Sequence, residues 1–154
     1  RLTLSNMRQT ILEMNFAGRL AAGLTHLNLG FNRLVDLSSL SLLMQLQSLD
    51  ISHNKAISLD AVRGLTQLRT LRCHHNSIES LEPVVSLLKL EDLWVSENEM
   101  QWGEFIFLEP LLHLSSLCKQ GNPADAKPRM NDFVQVRECK ICDLKEHAFL
   151  AVGV

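Results

Sequence analysis

Tyrosine is absent from the chain, and tryptophan occurs only at Trp94 and Trp102, so large aromatic side chains are scarce. An excess of one charge is also lacking, because 17 acidic and 15 basic residues leave a formal net charge of −2 in 154 residues. Such a chain has no broad basic surface with which to neutralise nucleic-acid phosphates. Nucleic acid is therefore not an expected partner, and the role of the two tryptophans needs an explanation.

Long apolar runs and cysteine are scarce as well. No stretch approaches the roughly 18 apolar residues that a membrane-spanning helix needs, and the first residues lack the profile of a signal peptide. Four cysteines, at positions 73, 118, 139 and 142, are too few for a disulfide scaffold in a chain of 154 residues. These absences predict an intracellular protein with no membrane partner.

Catalytic signatures are missing too. The sequence contains no Gly-rich phosphate loop, no GxSxG nucleophile turn and no HExxH zinc motif. His113 and the carboxylates are spread along the chain, without a nucleophile and a base placed together. We therefore expect no enzyme activity and no cofactor.

What the chain does contain is a repeat of the form LxxLxLxxN. The first four copies begin 22 residues apart, and the fifth follows after 24. The five copies are "LTHLNLGFN" (24–32), "LQSLDISHN" (46–54), "LRTLRCHHN" (68–76), "LEDLWVSEN" (90–98) and "LSSLCKQGN" (114–122). A periodic chain of this kind stacks its units side by side around one continuous core.

Each copy predicts one short strand followed by a tight bend. Alternating apolar residues, such as Leu49 and Ile51, have the period of two that marks a strand with one buried face. The Asn that ends each copy can turn its amide inward and satisfy backbone groups that the bend leaves unpaired. A column of these amides is expected inside the stack.

Between the strands, the apolar residues recur at every third position. This spacing aligns side chains on a 3₁₀-like helix, whereas a longer α-helix needs mixed steps of three and four. The two clearest series are Leu37, Leu40, Leu43, Leu46 and Leu59, Val62, Leu65, Leu68. The sequence therefore predicts an α/β solenoid with a parallel sheet on its concave face and short helices on its convex face.

We divide the single domain, residues 1–154, into three parts. Residues 1–23 are a degenerate first repeat in which Thr10 stands where Asn is expected, and residues 24–122 are the five repeats. Residues 123–154 are a C-terminal cap, predicted to be helical over 131–138. The sequence leaves open whether further repeats precede Arg1.

The strand register places Trp94 on the concave face, since Leu93 and Val95 occupy the inward positions. Arg72 lies at the same position of the previous repeat, and we expect it to pair with Asp50 and to lie against the Trp94 ring. Trp94 either contacts a partner or only packs on its neighbours, and the enrichment of Trp at interface centres favours contact.

Trp102 lies in the one repeat that is two residues too long, where insertions in solenoids often form binding loops. It either meets a partner or covers a gap in the core. Lys119, in the fifth copy, replaces an inward aliphatic residue.

The three histidines His53, His74 and His75 form a patch on the same face. A zinc site or an enzyme built on them is the alternative hypothesis, but their side chains project in parallel from two strands instead of converging. We expect a solvated, weakly pH-sensitive patch. Cys139 and Cys142 form a CxxC without a second pair, which indicates packing within the cap.

The 22-residue unit resembles the phosphatase-regulatory class of leucine-rich repeats over residues 24 to about 145. It is similar to the regulatory subunits of type-1 protein phosphatase, which share the strand ending in Trp, a second Trp and a cap that begins "NP". Here these are Trp94, Trp102 and Asn122 with Pro123. The resemblance implies a right-handed horseshoe, with contacts to the phosphatase at Asp92 and Trp94. Arg72 and Cys118 depart from that pattern.

A second resemblance is to the axonemal dynein light chain 1 family, through the "LWVSEN" strand and a "WGE" followed by "GNP". The two resemblances imply a non-enzymatic scaffold or regulatory subunit that binds a protein. The partner is either a phosphatase catalytic subunit, in the cytoplasm or nucleus, or an axonemal or cytoskeletal protein in a cilium or flagellum. The predicted partner-binding residues are Asp50, His53, Arg72, His74, His75, Asp92, Trp94, Glu97 and Trp102.

Overall fold

Strands and short helices alternate along the chain in the computed structural model, which describes residues 1–6 and 23–125. The strands form one parallel sheet in chain order: β1 (Leu2–Thr3), β2 (His26–Asn28), β3 (Ser48–Asp50), β4 (Thr70–Arg72), β5 (Asp92–Trp94) and β6 (Ser116–Cys118). The 3₁₀ helices between and after them are η1 (Ser38–Leu42), η2 (Asp60–Val62), η3 (Glu82–Ser86), η4 (Trp102–Leu108) and η5 (Pro123–Asp125).

The strands pair in the register that the repeat predicts. Equivalent leucines of successive repeats lie side by side, as Leu49 does with Leu71 and Leu71 with Leu93. Trp94 pairs with Cys118 in the same way, although the fourth repeat is two residues longer. The two extra residues of the fourth repeat therefore lie outside the paired strands. Equivalent positions of successive repeats form columns across the sheet, as the period of 22 predicts.

The convex side consists of 3₁₀ helices, as predicted. The Leu40 N–H donates to Leu37 O, the Leu43 N–H to Leu40 O and the Leu46 N–H to Leu43 O, each at 2.9 Å. This three-residue step matches the spacing of the buried leucines, and Leu40 and Leu43 are fully buried. The strands and helices share one core of aliphatic side chains.

The predicted column of asparagine amides is confirmed. The Asn54 Nδ2 donates to Leu29 O and Ile51 O at 3.0 Å, and its Oδ1 accepts the Leu34 N–H at 2.9 Å. Each amide thus joins its own repeat to the one before it and to the loop of that repeat. The same pattern recurs, in whole or in part, at Asn32, Asn76, Asn98 and Asn122.

The first repeat also contributes a strand to the sheet. Leu2 pairs with Leu27 in β2, so β1 adds a sixth strand to the five that the repeats supply. Thr10, the predicted cap helix and the CxxC all lie outside the described residues, so the predictions for them stay predictions.

None of the helices within residues 1–6 and 23–125 has both the length and the apolar character needed to cross a membrane.

Candidate protein-binding surface

The repeat gathers most of the predicted contact residues on one surface. We define the concave face as the outward side chains of β2 to β6 together with the second and third residues that follow each strand. Eight of the nine predicted residues lie on it, since the strands or their following turns carry Asp50, His53, Arg72, His74, His75, Asp92, Trp94 and Glu97. Trp102 instead begins η4, at the start of the convex helix.

Trp94 is 36% exposed, and its ring lies against Arg72, its neighbour on β4. The Arg72 Cζ lies 4.7 Å from the centroid of the indole ring, as predicted. A guanidinium over an aromatic face contributes about 0.5–1 kcal/mol at an exposed site. The indole is therefore presented to solvent in a supported position.

The predicted pair between Asp50 and Arg72 does not form. Asp50 Oδ1 accepts hydrogen bonds from the backbone N–H and the hydroxyl of Ser52, at 3.0 and 2.6 Å. The other oxygen, Oδ2, accepts from Asn28 Nδ2 at 3.3 Å. Aspartate side chains commonly accept hydrogen bonds from the backbone N–H two residues later, as Asp50 does here. The Arg72 guanidinium lies over the Trp94 ring instead.

The ion pairs of the described residues lie elsewhere. Arg63 pairs with Asp60 at 3.0 Å and with Glu82, and Arg69 pairs with Glu91. These residues belong to the convex helices and to the loops that lead into the strands. In contrast, the side chains of Asp92 and Glu97 form no ion pair or hydrogen bond within residues 1–6 and 23–125.

A stack of aromatic rings runs along one side of the concave face. The Phe31 and His53 ring centroids are 4.1 Å apart with planes at 13°, and those of His53 and His75 are 4.2 Å apart at 22°. We call these three residues the ring ladder. Each has a positive φ, between 52° and 57°, at the position before the repeat asparagine. The ladder follows from the fold, because successive repeats place that position about one strand spacing, roughly 4.8 Å, apart.

Glu97 occupies the next position of this column and also has a positive φ, of 54°. Its carboxylate lies above Gly121, where any Cβ would collide with it. Glycine at 121, with a φ of 77°, is the residue that leaves room for that carboxylate.

His74 connects the ring ladder to Trp94. Its ring centroid is 5.2 Å from that of His53 and 5.8 Å from that of Trp94. Its Nδ1 is buried without a hydrogen-bond partner among the described residues. The aromatic surface is therefore continuous from Phe31 to Trp94.

The environment of the histidines disfavours their charged forms. Burial lowers the pKa of His53, and the neighbouring His75 lowers it further, while Asp50 acts in the opposite direction. Burial lowers the pKa of His74 as well, with smaller contributions from His53, His75 and Arg72 and an opposing one from Asp50. Both imidazoles are therefore mainly neutral at pH 7.

Stacked rings present their faces to one another, so their nitrogen lone pairs do not converge on one point. In agreement with that geometry, no group of three or more His, Cys, Asp or Glu side chains in the described part of the chain is arranged to hold a metal ion. What the arrangement offers is a partly apolar surface with hydrogen-bonding edges.

Trp102 packs at the end of the core and is only partly exposed. The Lys119 Nζ lies 5.1 Å from the centroid of its ring and 5.3 Å from that of Phe105. The lysine that replaces an inward aliphatic residue therefore places its ammonium against two aromatic rings. Of the two readings of Trp102, this geometry favours covering the core, and a contact with a partner stays a prediction.

Sequence reasoning missed two parts of this surface. Phe31 is 58% exposed and begins the ring ladder. The sequence feature that could have indicated its role is that Phe31 is the one large apolar residue in its repeat column. A polar groove of about 510 Å³ also lies over β1 to β4, lined by Arg1, Leu2, Thr3, His26, Leu27, Asn28, Ser48, Asp50, Thr70 and Arg72. Small polar residues in the strand columns were the available signal for it.

Comparisons with known proteins find the same architecture. An internalin (InlF) of Listeria monocytogenes is 27% identical with a TM-score of 0.63, covering 69% of this chain and 34% of that one. The functional domain of InlJ from the same species is 28% identical with a TM-score of 0.62, covering 74% and 23%.

The leucine-rich repeat ectodomain of the Arabidopsis thaliana receptor kinase GASSHO1/SCHENGEN3 is 26% identical with a TM-score of 0.54, covering 64% of this chain and 13% of that one. The present chain thus spans between 13% and 34% of the length of these three structures. No protein-family model and no curated protein sequence matches it. The repeat, the parallel sheet and the structural neighbours together identify the fold as an α/β leucine-rich repeat solenoid.

Proposed function

We propose that this protein is a non-enzymatic interaction scaffold that binds another protein through its concave face. The observation that carries the proposal is the partly exposed Trp94, supported by Arg72 and continuous with the ring ladder. Binding hot spots are enriched in Trp and Arg, and they lie near the centres of contact surfaces. Trp94 and Arg72 have that composition, side by side on β5 and β4.

The structural neighbours support the general role. The GASSHO1/SCHENGEN3 ectodomain was solved in complex with CASPARIAN STRIP INTEGRITY FACTOR 2, so a solenoid of this fold takes a ligand there. Six short strands present an open sheet on the order of 24 Å wide at a spacing of about 4.8 Å. A surface of that width suits a protein segment better than a small molecule.

The more specific proposal is a regulatory subunit of a type-1 protein phosphatase, acting in the cytoplasm or nucleus. It rests on the sequence resemblance around Asp92, Trp94 and Trp102, and on the "NP" at residues 122 and 123. The free thiols of Cys73 and Cys118 fit a reducing compartment.

The second candidate is a ciliary or axonemal scaffold. The observation that favours it is the pair of segments "LWVSEN" and "WGE" followed by "GNP", which resemble those of axonemal dynein light chain 1. This candidate uses the same face of the sheet and differs in its partner and in its place in the cell.

A pulldown from cell lysate, read by mass spectrometry, tests the proposal and separates the two candidates. Wild type is expected to recover either a phosphatase catalytic subunit or axonemal proteins, and Trp94→Ala to recover at least about tenfold less of that partner. Leu112→Ala is the matched control, because Leu112 is 88% exposed and lies outside the concave face. Equal recovery of every partner by wild type and Trp94→Ala would exclude the concave face as the binding surface.

A further inference from the structure

The concave face has a charge that its own residues do not balance. Arg63 and Arg69 form the ion pairs of the described residues, and both lie away from this face. Asp92 and Glu97 make no ion pair there, and Asp50 bonds to neutral donors. Because Arg72 is the one cation among the concave columns from β2 to β5, the surface carries a net negative charge.

The unpaired carboxylates of Asp92 and Glu97 lie on either side of Trp94 along the chain. Asp92 is two residues before Trp94 on β5, so both side chains point to the same side of the sheet. Glu97 follows three residues after Trp94, in the turn after β5, and Gly121 leaves room for its carboxylate. A basic side chain lying here would place its aliphatic stem along the exposed part of the indole and its charge between two carboxylates.

The other end of the surface is apolar. Phe31 is 58% exposed and stacks on His53, whose pKa is lowered by burial. Phe31 belongs to the turn after β2, whereas Asp92 and Glu97 belong to β5 and its turn. Glu97 is the position equivalent to Phe31 three repeats later, so three strand spacings, about 14 Å, separate these two residues across the sheet.

We propose that the concave face binds an extended partner segment in which an apolar side chain and a lysine or arginine are four residues apart. The apolar side chain lies on Phe31 and His53, and the basic side chain docks between Asp92 and Glu97 beside Trp94. An extended chain advances about 3.4 Å per residue and turns every second side chain to the same face, so four residues span that separation with both side chains facing the sheet. This inference rests on the proposed function and names the chemistry of its partner.

Synthetic peptides test the inference directly. Fluorescently labelled 12-residue peptides carry Phe at position i and Lys at position i+2, i+4 or i+6 in a Gly/Ser/Thr background. Fluorescence anisotropy measures their affinity for the 154-residue chain. The peptides with a separation of four are expected to bind tightest. Replacing Lys by Glu should weaken them at least about tenfold, and added NaCl should reduce the difference.

Variants of the protein assign the two ends. Asp92→Asn combined with Glu97→Gln is expected to remove the preference for Lys over Glu, and Phe31→Ala to remove the optimum at four residues. Glu99→Gln, an exposed acid beyond the repeat asparagine, is the control and should change neither.

Three results would overturn the inference: equal binding of Lys and Glu peptides, a Lys preference without an optimum at four residues, or no binding of any Phe–Lys peptide at 1 mM protein. Failure of the proposed function looks different, because Trp94→Ala then leaves recovery of the lysate partner unchanged.

Discussion

Each asparagine of the amide column supplies hydrogen bonds that the backbone of a tight bend cannot make for itself. Asn98 is 4% exposed, and its Nδ2 donates to Cys73 O and Val95 O at 3.0 Å. Its Oδ1 accepts the N–H of Ile78, also at 3.0 Å. One side chain therefore satisfies groups in two repeats, which explains why the sequence returns to Asn at this position.

Replacing Asn98 by Ala should lower the free energy of unfolding by about 3 kcal/mol, because buried carbonyl and N–H groups lose their partners. Urea unfolding followed by circular dichroism measures the change. Glu99→Ala, at an exposed neighbouring site, should alter stability by less than about 0.5 kcal/mol. A loss below 1 kcal/mol for Asn98→Ala would mean that the amide column contributes little to stability.

The thiols of Cys73 and Cys118 differ in their surroundings. Cys73 is fully buried, and burial raises the pKa of its thiol far above the ordinary value. Cys118 is partly exposed at the end of β6. The thiolate is the reactive form, so both access and ionisation protect Cys73.

Iodoacetamide at pH 8 should therefore modify Cys118 at least about a hundredfold faster than Cys73 in the folded protein. Peptide mass mapping over time gives the two rates. In urea the rates should become similar, which serves as the control. Equal rates without denaturant would show that the β4 region opens readily.

Elements of neighbouring repeats produce features that no single repeat contains. The ring ladder joins the turns after β2, β3 and β4. It exists because those turns share one backbone conformation, with a positive φ at equivalent positions. His53 in the ladder and His74 beside it are partly desolvated, which lowers their pKa values and gives the surface a dependence on pH.

Stability should fall as pH drops from 7.5 to 5.5. The pKa values of His53 and His74 are depressed in the folded state, so the unfolded chain, with ordinary histidine values near 6.5, takes up protons first. Their contribution is present above pH 6.5 and is lost as pH falls through their folded-state values. Urea midpoints at the two pH values measure the effect.

The double variant His53→Gln/His74→Gln should flatten this pH dependence, because it removes the two histidines whose pKa values are lowered in the folded state. His113→Gln is the matched control, since His113 is exposed and lies outside the ring ladder. An unchanged slope in the double variant would assign the pH dependence to other groups.

In the whole molecule, each repeat is stable only against its neighbours, so the centre of the stack matters most. Leu71 on β4 is fully buried and pairs with Leu49 on one side and Leu93 on the other. A single continuous core runs through these contacts. A cavity in the middle therefore weakens the interfaces on both sides of a repeat.

Leu71→Ala should lower the free energy of unfolding by about 3 kcal/mol, from lost burial and the residual cavity. Leu112→Ala, at an 88% exposed site, should change it by less than about 0.5 kcal/mol. Chemical unfolding of both variants gives the comparison. Similar values for the two would contradict a shared core.

The sequence by itself determined the architecture, because the same requirement recurs every 22 residues. Inward leucines, a helix step of three and an asparagine at each bend each leave one low-energy arrangement for the chain. The strand register, the 3₁₀ helices, the amide column and the exposed Trp94 were predictable for that reason. The pairing of β1 with β2 was not predicted, because residues 1–23 lack most of the pattern.

Only the tertiary structure decided which surface groups contact one another. Asp50 has donors within reach in its own turn, and these prevail over Arg72, which lies on Trp94. Phe31 stacks on His53, a contact that needs the backbone conformation of two turns. Exposed side chains choose among partners whose free energies differ by about 1 kcal/mol or less, so geometry in three dimensions, and not the repeat, selects the contacts of the concave face.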